Sequence, residues 1–131
     1  MKFSVILITA ISLFILNTLI SVLITVGYGV AALASIENAI LQYAAQFIVS
    51  TIVFIVIASR FNGRPYLHGF LVVIASLIID SFTGLMMYYF LNVTSSTLLL
   101  IMSYCLLLGA MYVGISLRGW YKSTVATSEN D

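Results

Sequence analysis

Four long apolar runs, residues 5–26, 39–58, 70–90 and 98–117, divide the chain. Each is about 20 residues, the length at which a helix rising about 1.5 Å per residue crosses about 30 Å of hydrocarbon. The runs do not alternate polar and apolar positions, as the strands of a membrane barrel would. Their few polar residues fall at helical spacing. Asn17, Ser21 and Thr25 share one face of the first run, with Thr18 beside them, and Asn38, Gln42, Gln46 and Ser50 follow at four-residue steps in the second. Ser76, Asp80, Thr83 and Gly84 share a face of the third. The fourth offers Ser103 and the small-xxx-small pair Ala110 and Gly114, which lets helix backbones approach closely. Lipid chains satisfy none of these polar groups, so the stripes are expected to converge inside a bundle. The pattern predicts an all-α integral membrane protein: a four-transmembrane-helix bundle of residues 1–122 built from two similar hairpins, with a short polar tail, 123–131, expected to fray.

Composition agrees and narrows the class. The chain is 63% hydrophobic and 7% charged, and its mean hydropathy of +1.20 lies outside the range of soluble domains. Membrane lipids are the expected surroundings, and no nucleic acid is expected as a partner. Lys2 and the stretch Ala32-Leu33-Ala34 imitate a cleavable signal, but the first run exceeds the 7–15 residues of a signal core, so a retained helix is expected. Charge sets the orientation. Lys2, Arg60, Arg64, Arg118 and Lys122 all fall on one side, while the opposite connections carry Glu37 and, over residues 91–97, no charge. The positive-inside rule then places both termini in the cytoplasm, of a bacterial or archaeal membrane in this reading. Tyr66, Trp120 and Tyr121 suit an aromatic belt on that side.

Asp80 changes the picture most. A carboxylate near the centre of a span costs about 3 kcal/mol on insertion scales, so it normally takes a partner or holds a proton, and it marks a functional site by default. Asn17 and Asp80 both fall near mid-span, with Gln42 and Gln46 in the outer half. A bundle can therefore bring Asn17, Gln46 and Asp80 into one cavity. The bland alternative is interhelical hydrogen bonding worth about 0.6–2 kcal/mol per bond.

Other chemistry is thin. No His, Cys and acid cluster has metal-ligand spacing, His68 reads as an interfacial residue, and neither a metal nor a cofactor is expected. Catalysis within the membrane would require a second group at the depth of Asp80, and none is present, so an enzyme is not expected. The single Cys105 reads as a small buried apolar residue. Gly27 and Gly29 read as a helix stop, and Asn92-Val93-Thr94 is a sequon that matters only in a eukaryotic secretory pathway.

A faint internal repeat relates the two hairpins. Asn17 and Asp80 are 80 − 17 = 63 positions apart, and Ile57-Ala58-Ser59-Arg60-Phe61 leaves the second run much as Ile115-Ser116-Leu117-Arg118-Gly119-Trp120 leaves the fourth. With Leu16-Asn17-Thr18-Leu19, Ser59-Arg60-Phe61, Asp80 and Ser116-Leu117-Arg118, the chain resembles the GtrA-like family of small four-span membrane proteins over nearly its whole length. It departs from that family in lacking an Asn-Arg pair at the second exit and in its Arg118-Gly119-Trp120 ending. The resemblance implies a flippase, or a flippase partner, for polyprenyl-phosphate-linked sugars used in cell-surface polysaccharide synthesis. Asn17, Gln42, Gln46 and Asp80 would then meet sugar hydroxyls, and Arg60, Arg64, Arg118 and Lys122 the lipid phosphate. A membrane glycosyltransferase or a second copy would be the partner. The rival expectations are an accessory subunit of a larger membrane complex and a small proton-coupled exporter using Asp80.

Overall fold

The computed structural model describes residues 3–29, 35–60, 63–92 and 97–128. Helix α1 covers Phe3–Tyr28, α2 Ile36–Arg60, α3 Pro65–Leu91 and α4 Thr97–Ser128, and all four are long and apolar enough to cross a membrane. The protein is an all-α membrane bundle, as the four apolar runs predict. Lys2, the Ala32-Leu33-Ala34 stretch, Phe61, the Val93-Thr94 part of the sequon and residues 129–131 lie outside the described residues. Each helix outruns its apolar stretch. At about 1.5 Å per residue, 25 residues already rise about 38 Å, so the ends extend beyond the hydrocarbon. The fourth departs most from expectation, because the segment from Ser123 continues the helix to Ser128.

The helix ends follow local rules. Gly29, at φ 83°, occupies the left-handed region where glycine has no Cβ to clash, and it ends α1 directly after Tyr28. Ser35 opens α2: its Oγ accepts the Asn38 N–H at 3.2 Å, and Glu37 favours the positive end of the dipole. Pro65 starts α3, where its missing N–H would be unpaired in any case. Asn92 closes α3 at φ 53° by donating its N–H to the Tyr88 carbonyl at 3.1 Å.

Around the bundle the order is α1, α2, α4, α3. The α2–α4 pair packs most extensively, and α1 and α4 stand diagonally without contact among the described residues. Gly114 explains the α2–α4 approach: a Cβ there would lie 2.7 Å from the Thr51 carbonyl oxygen and 3.0 Å from Phe54 Cβ. That places the expected small-residue pair in the tightest seam of the bundle, with Ala110 fully buried one turn earlier.

Among the described residues, the apolar core gathers at mid-depth and towards one end. Ile6, Ala10 and Leu13 of α1, Phe54 and Ile57 of α2, Val72 and Val73 of α3, and Leu107 and Ala110 of α4 form it. They occupy mid-depth and the half that carries both termini. Towards the opposite end, residues 85–91 of α3 and Asn92 after it are all exposed. The hairpin repeat acquires structural content here. The inward line of α1, Ile6, Ala10, Leu13, Asn17 and Ser21, recurs 63 positions on as Gly69, Val73, Ser76, Asp80 and Gly84 in α3. Cys105 corrects an expectation, because it is exposed. Leu107, Ala110 and Gly114 fix the inward face of α4, and position 105 turns away from it.

Candidate substrate site

Beyond the core, residues of the polar stripes line a cavity of about 400 Å³. Leu13, Asn17 and Ser21 of α1 line it with Gln46, Phe47 and Ser50 of α2, Ser76, Asp80, Thr83 and Gly84 of α3, and Ser103, Tyr104 and Leu107 of α4. The structure thus brings Asn17, Gln46 and Asp80 to one cavity, as their spacing and depth predict. Beneath them the core residues close the bundle towards the termini.

Hydrogen bonding distinguishes the groups that the fold itself satisfies from those left open. The Thr18 and Thr83 hydroxyls donate to the carbonyls one turn back, of Phe14 at 2.8 Å and Ile79 at 2.9 Å. Among the described residues, Asn17 Oδ1 and Ser76 Oγ are buried without a partner. Asp80 is met from across the bundle by Tyr104, whose hydroxyl donates to Oδ2 at 3.5 Å, the outer limit of such a bond. Unmet oxygens beside a loosely held carboxyl are costly in an apolar surround, and a ligand bearing hydroxyls would relieve that cost. A third orphan, Asn38 Oδ1, lies near the far end of α2 and is not among the groups that line the cavity.

Gln42 is placed differently from Gln46. Its Oε1 accepts the Ser21 hydroxyl at 3.2 Å, and its Nε2 donates to Thr25 Oγ1 at 3.3 Å. Both ends of the amide are used to tie α2 to α1, and Gln42 is not on the cavity wall. It performs the interhelical bonding that its type and position equally allow.

A second recess of about 400 Å³ lies at the end that carries the termini, walled by Ala58 of α2, Pro65 and Tyr66 of α3, and Ile115, Ser116, Arg118, Gly119, Trp120 and Lys122 of α4. Tyr66 and Ser116 share a hydrogen bond of 3.1 Å between their hydroxyls. The Arg118 guanidinium stands 5.8 Å from the Tyr121 ring centre, within cation–π range. Of the four cations expected to meet a phosphate, Arg118 and Lys122 converge here, whereas Arg60 and Arg64 are exposed and do not line it.

Tyr104 is the cavity residue that the polar stripes alone miss. The repeat contains it, because the offset of 58 positions relating Arg60 to Arg118 also relates Gln46 to Tyr104. Among the described residues no group of three or more His, Cys, Asp or Glu side chains is placed to hold a metal. No family model, no curated protein and no solved structure matches the chain.

Proposed function

We propose that this protein is a small membrane translocator for a hydroxyl-rich headgroup, with a polyprenyl-phosphate-linked sugar as its substrate class, and that it serves cell-surface polysaccharide synthesis. The observation that carries the reading is the mid-depth cavity, whose largely apolar wall holds the unmet oxygens of Asn17 and Ser76 and the Asp80 carboxyl. A sugar offers both donors and acceptors, so a single ring can satisfy an amide oxygen, a hydroxyl and a carboxyl together. The volume of about 400 Å³ falls in the range of small-molecule sites, about 300–1,000 Å³. The apolar core below the cavity favours a carrier that changes shape over an open pore. In this reading both termini face the cytoplasm, following the cations at that end, and a membrane glycosyltransferase or a second copy acts alongside.

The test is reconstitution with a fluorescent polyprenyl-phosphoryl sugar and quenching of the outer leaflet. Wild type should accelerate loss of the protected pool. Gly84→Phe should not, because position 84 lines the cavity and a side chain there enters open space. Wild-type vesicles no faster than empty ones would defeat the reading. The exporter alternative is favoured by one observation, the acid Asp80 on the cavity wall. It predicts that Asp80→Asn abolishes a pH-driven flux that the sugar-binding reading does not require.

A further inference from the structure

We infer that the mid-depth cavity is a binding site for an alkali-metal cation, held by the Asp80 carboxylate, Asn17 Oδ1 and Ser76 Oγ. The site stands on the geometry of the cavity and not on the translocation reading, so the two can fail separately.

Ser76 points to a ligand first. Hydroxyls within these helices are readily consumed by their own backbone: Thr9, Thr18, Thr51 and Thr83 each donate to the carbonyl one turn back, at 2.7–2.9 Å. Ser76 makes no such bond, although it is only 2% exposed and lines the cavity. Asn17 Oδ1 is buried without a partner on the same cavity, and an amide oxygen can only accept. Asp80 follows Ser76 by one turn on the same face of α3. Among the described residues one hydrogen bond reaches its carboxyl, from Tyr104 at 3.5 Å. Three oxygens from α1 and α3 thus lack a firm donor, and two of them belong to groups that cannot supply one to each other.

Charge says what fills the gap. The described cations Arg60, Arg64, Arg118 and Lys122 all lie at the end bearing the termini. Arg64 precedes α3 by one residue and stands 80 − 64 = 16 positions from Asp80, about 24 Å along a helix, while His68 at 12 positions is about 18 Å away. No side chain among these can serve the carboxylate as a counter-charge, so a free cation takes that place. One carboxylate balances one positive charge, whereas a divalent ion would leave a charge over in an apolar surround, at high cost. Hard cations take neutral oxygens as readily as carboxylates, so no cluster of His, Cys and acids is needed. Ser50 of α2 and Ser103 of α4 line the same cavity, and its volume of about 400 Å³ leaves room for water or a sugar hydroxyl to complete the shell.

The experiment is equilibrium binding of radioactive sodium, and of rubidium as the stand-in for potassium, to the purified full chain in detergent at mildly alkaline pH. Choline chloride holds the ionic strength constant. At least one of the two ions should bind wild type saturably, and equal concentrations of calcium or choline should not displace it. Asp80→Asn should abolish binding. Ser76→Ala and Asn17→Leu should each weaken it about tenfold, the scale of one lost contact to a charged group. Cys105→Ser, a change of similar size in α4 that faces away from the cavity, should stay within twofold of wild type. Retained helicity and a monodisperse elution profile confirm that each variant folds. Three results would overturn the proposal: no saturable binding of either ion, Ser76→Ala and Asn17→Leu binding like wild type, or calcium displacing the label as well as sodium does. Asp80→Asn removes the charge that retains the ion and with it the need for one, so loss of binding there does not demand loss of translocation. No lipid-linked sugar is present in this assay: a chain that binds no ion leaves the translocation reading standing, and vesicles that move no sugar-lipid leave this site standing.

Discussion

Gly114→Ala should be the most damaging single-methyl addition in the bundle. The new Cβ would lie 2.7 Å from the Thr51 carbonyl oxygen, where ordinary contact begins at 3.4 Å, so relief needs about 3.4 − 2.7 = 0.7 Å of movement. The obstructing atom belongs to helix backbone, and Phe54 Cβ at 3.0 Å and Ile55 N at 3.3 Å block the neighbouring directions. No side-chain rotation relieves it; α2 and α4 must separate along their closest seam. Overpacking of this kind costs about 1–3 kcal/mol. Gly69→Ala meets side-chain atoms and no backbone, Ile115 Cδ1 and Met111 Cγ at 2.9 Å and Met111 Sδ at 3.1 Å, and should cost less. Gly119→Ala meets nothing and should be neutral, or stabilising by up to about 1 kcal/mol through helix propensity. The assay is unfolding free energy in mixed micelles for the three variants side by side. If Gly114→Ala equals or exceeds wild type while Gly119→Ala behaves as expected, α2 and α4 do not meet along this seam.

The remaining expectations concern polar groups and exposure. Gln42→Leu removes two interhelical bonds worth about 0.6 kcal/mol each in membranes, so a loss near 1 kcal/mol is expected with translocation retained; unchanged stability by the same micelle assay would contradict the clasp. Asp80→Asn keeps hydrogen-bonding capacity and should preserve most sugar-lipid translocation, while Asp80→Leu should abolish it in the vesicle assay. If both variants behave as wild type, Asp80 has no part in the site. The exposed Cys105 should react with a lipid-soluble thiol reagent and resist an aqueous one, which mass spectrometry of the labelled protein can read.

The backbone architecture was almost entirely legible because membrane solvent leaves few choices. Runs of about 20 apolar residues had to be helices, and polar residues at four-residue steps had to face one another. Asn17, Gln46, Ser76 and Asp80 accordingly meet at one cavity. What the sequence left open was how each polar side chain would be used. Gln42 and Gln46 are equivalent by type and stripe, yet Ser21 and Thr25 stand opposite the first and occupy both ends of its amide. Arg60 and Arg118 leave their spans with similar neighbours, yet of the two Arg118 lines the recess at that end and Arg60 does not. Cys105 was misjudged because small apolar residues are usually buried in water-soluble proteins, whereas a membrane helix exposes them to lipid without penalty. Tyr104 was missed because its ring reads as one more apolar group of the span, although its hydroxyl reaches Asp80 across the bundle. The reach of α4 to Ser128 was missed because its polar composition reads as a tail.

Central to the account is a cavity that carries the Asn17, Ser76 and Asp80 polar groups, with the apolar core between it and the end that bears the termini. Cysteine accessibility in sealed vesicles of known orientation tests it most directly, on a Cys105→Ser background with a membrane-impermeant thiol reagent. Thr83→Cys on the cavity wall should react from the side opposite the termini and not from the other, and Val72→Cys in the core should react from neither. Thr83→Cys that stays inert from both sides, or Val72→Cys that reacts as readily, would contradict it.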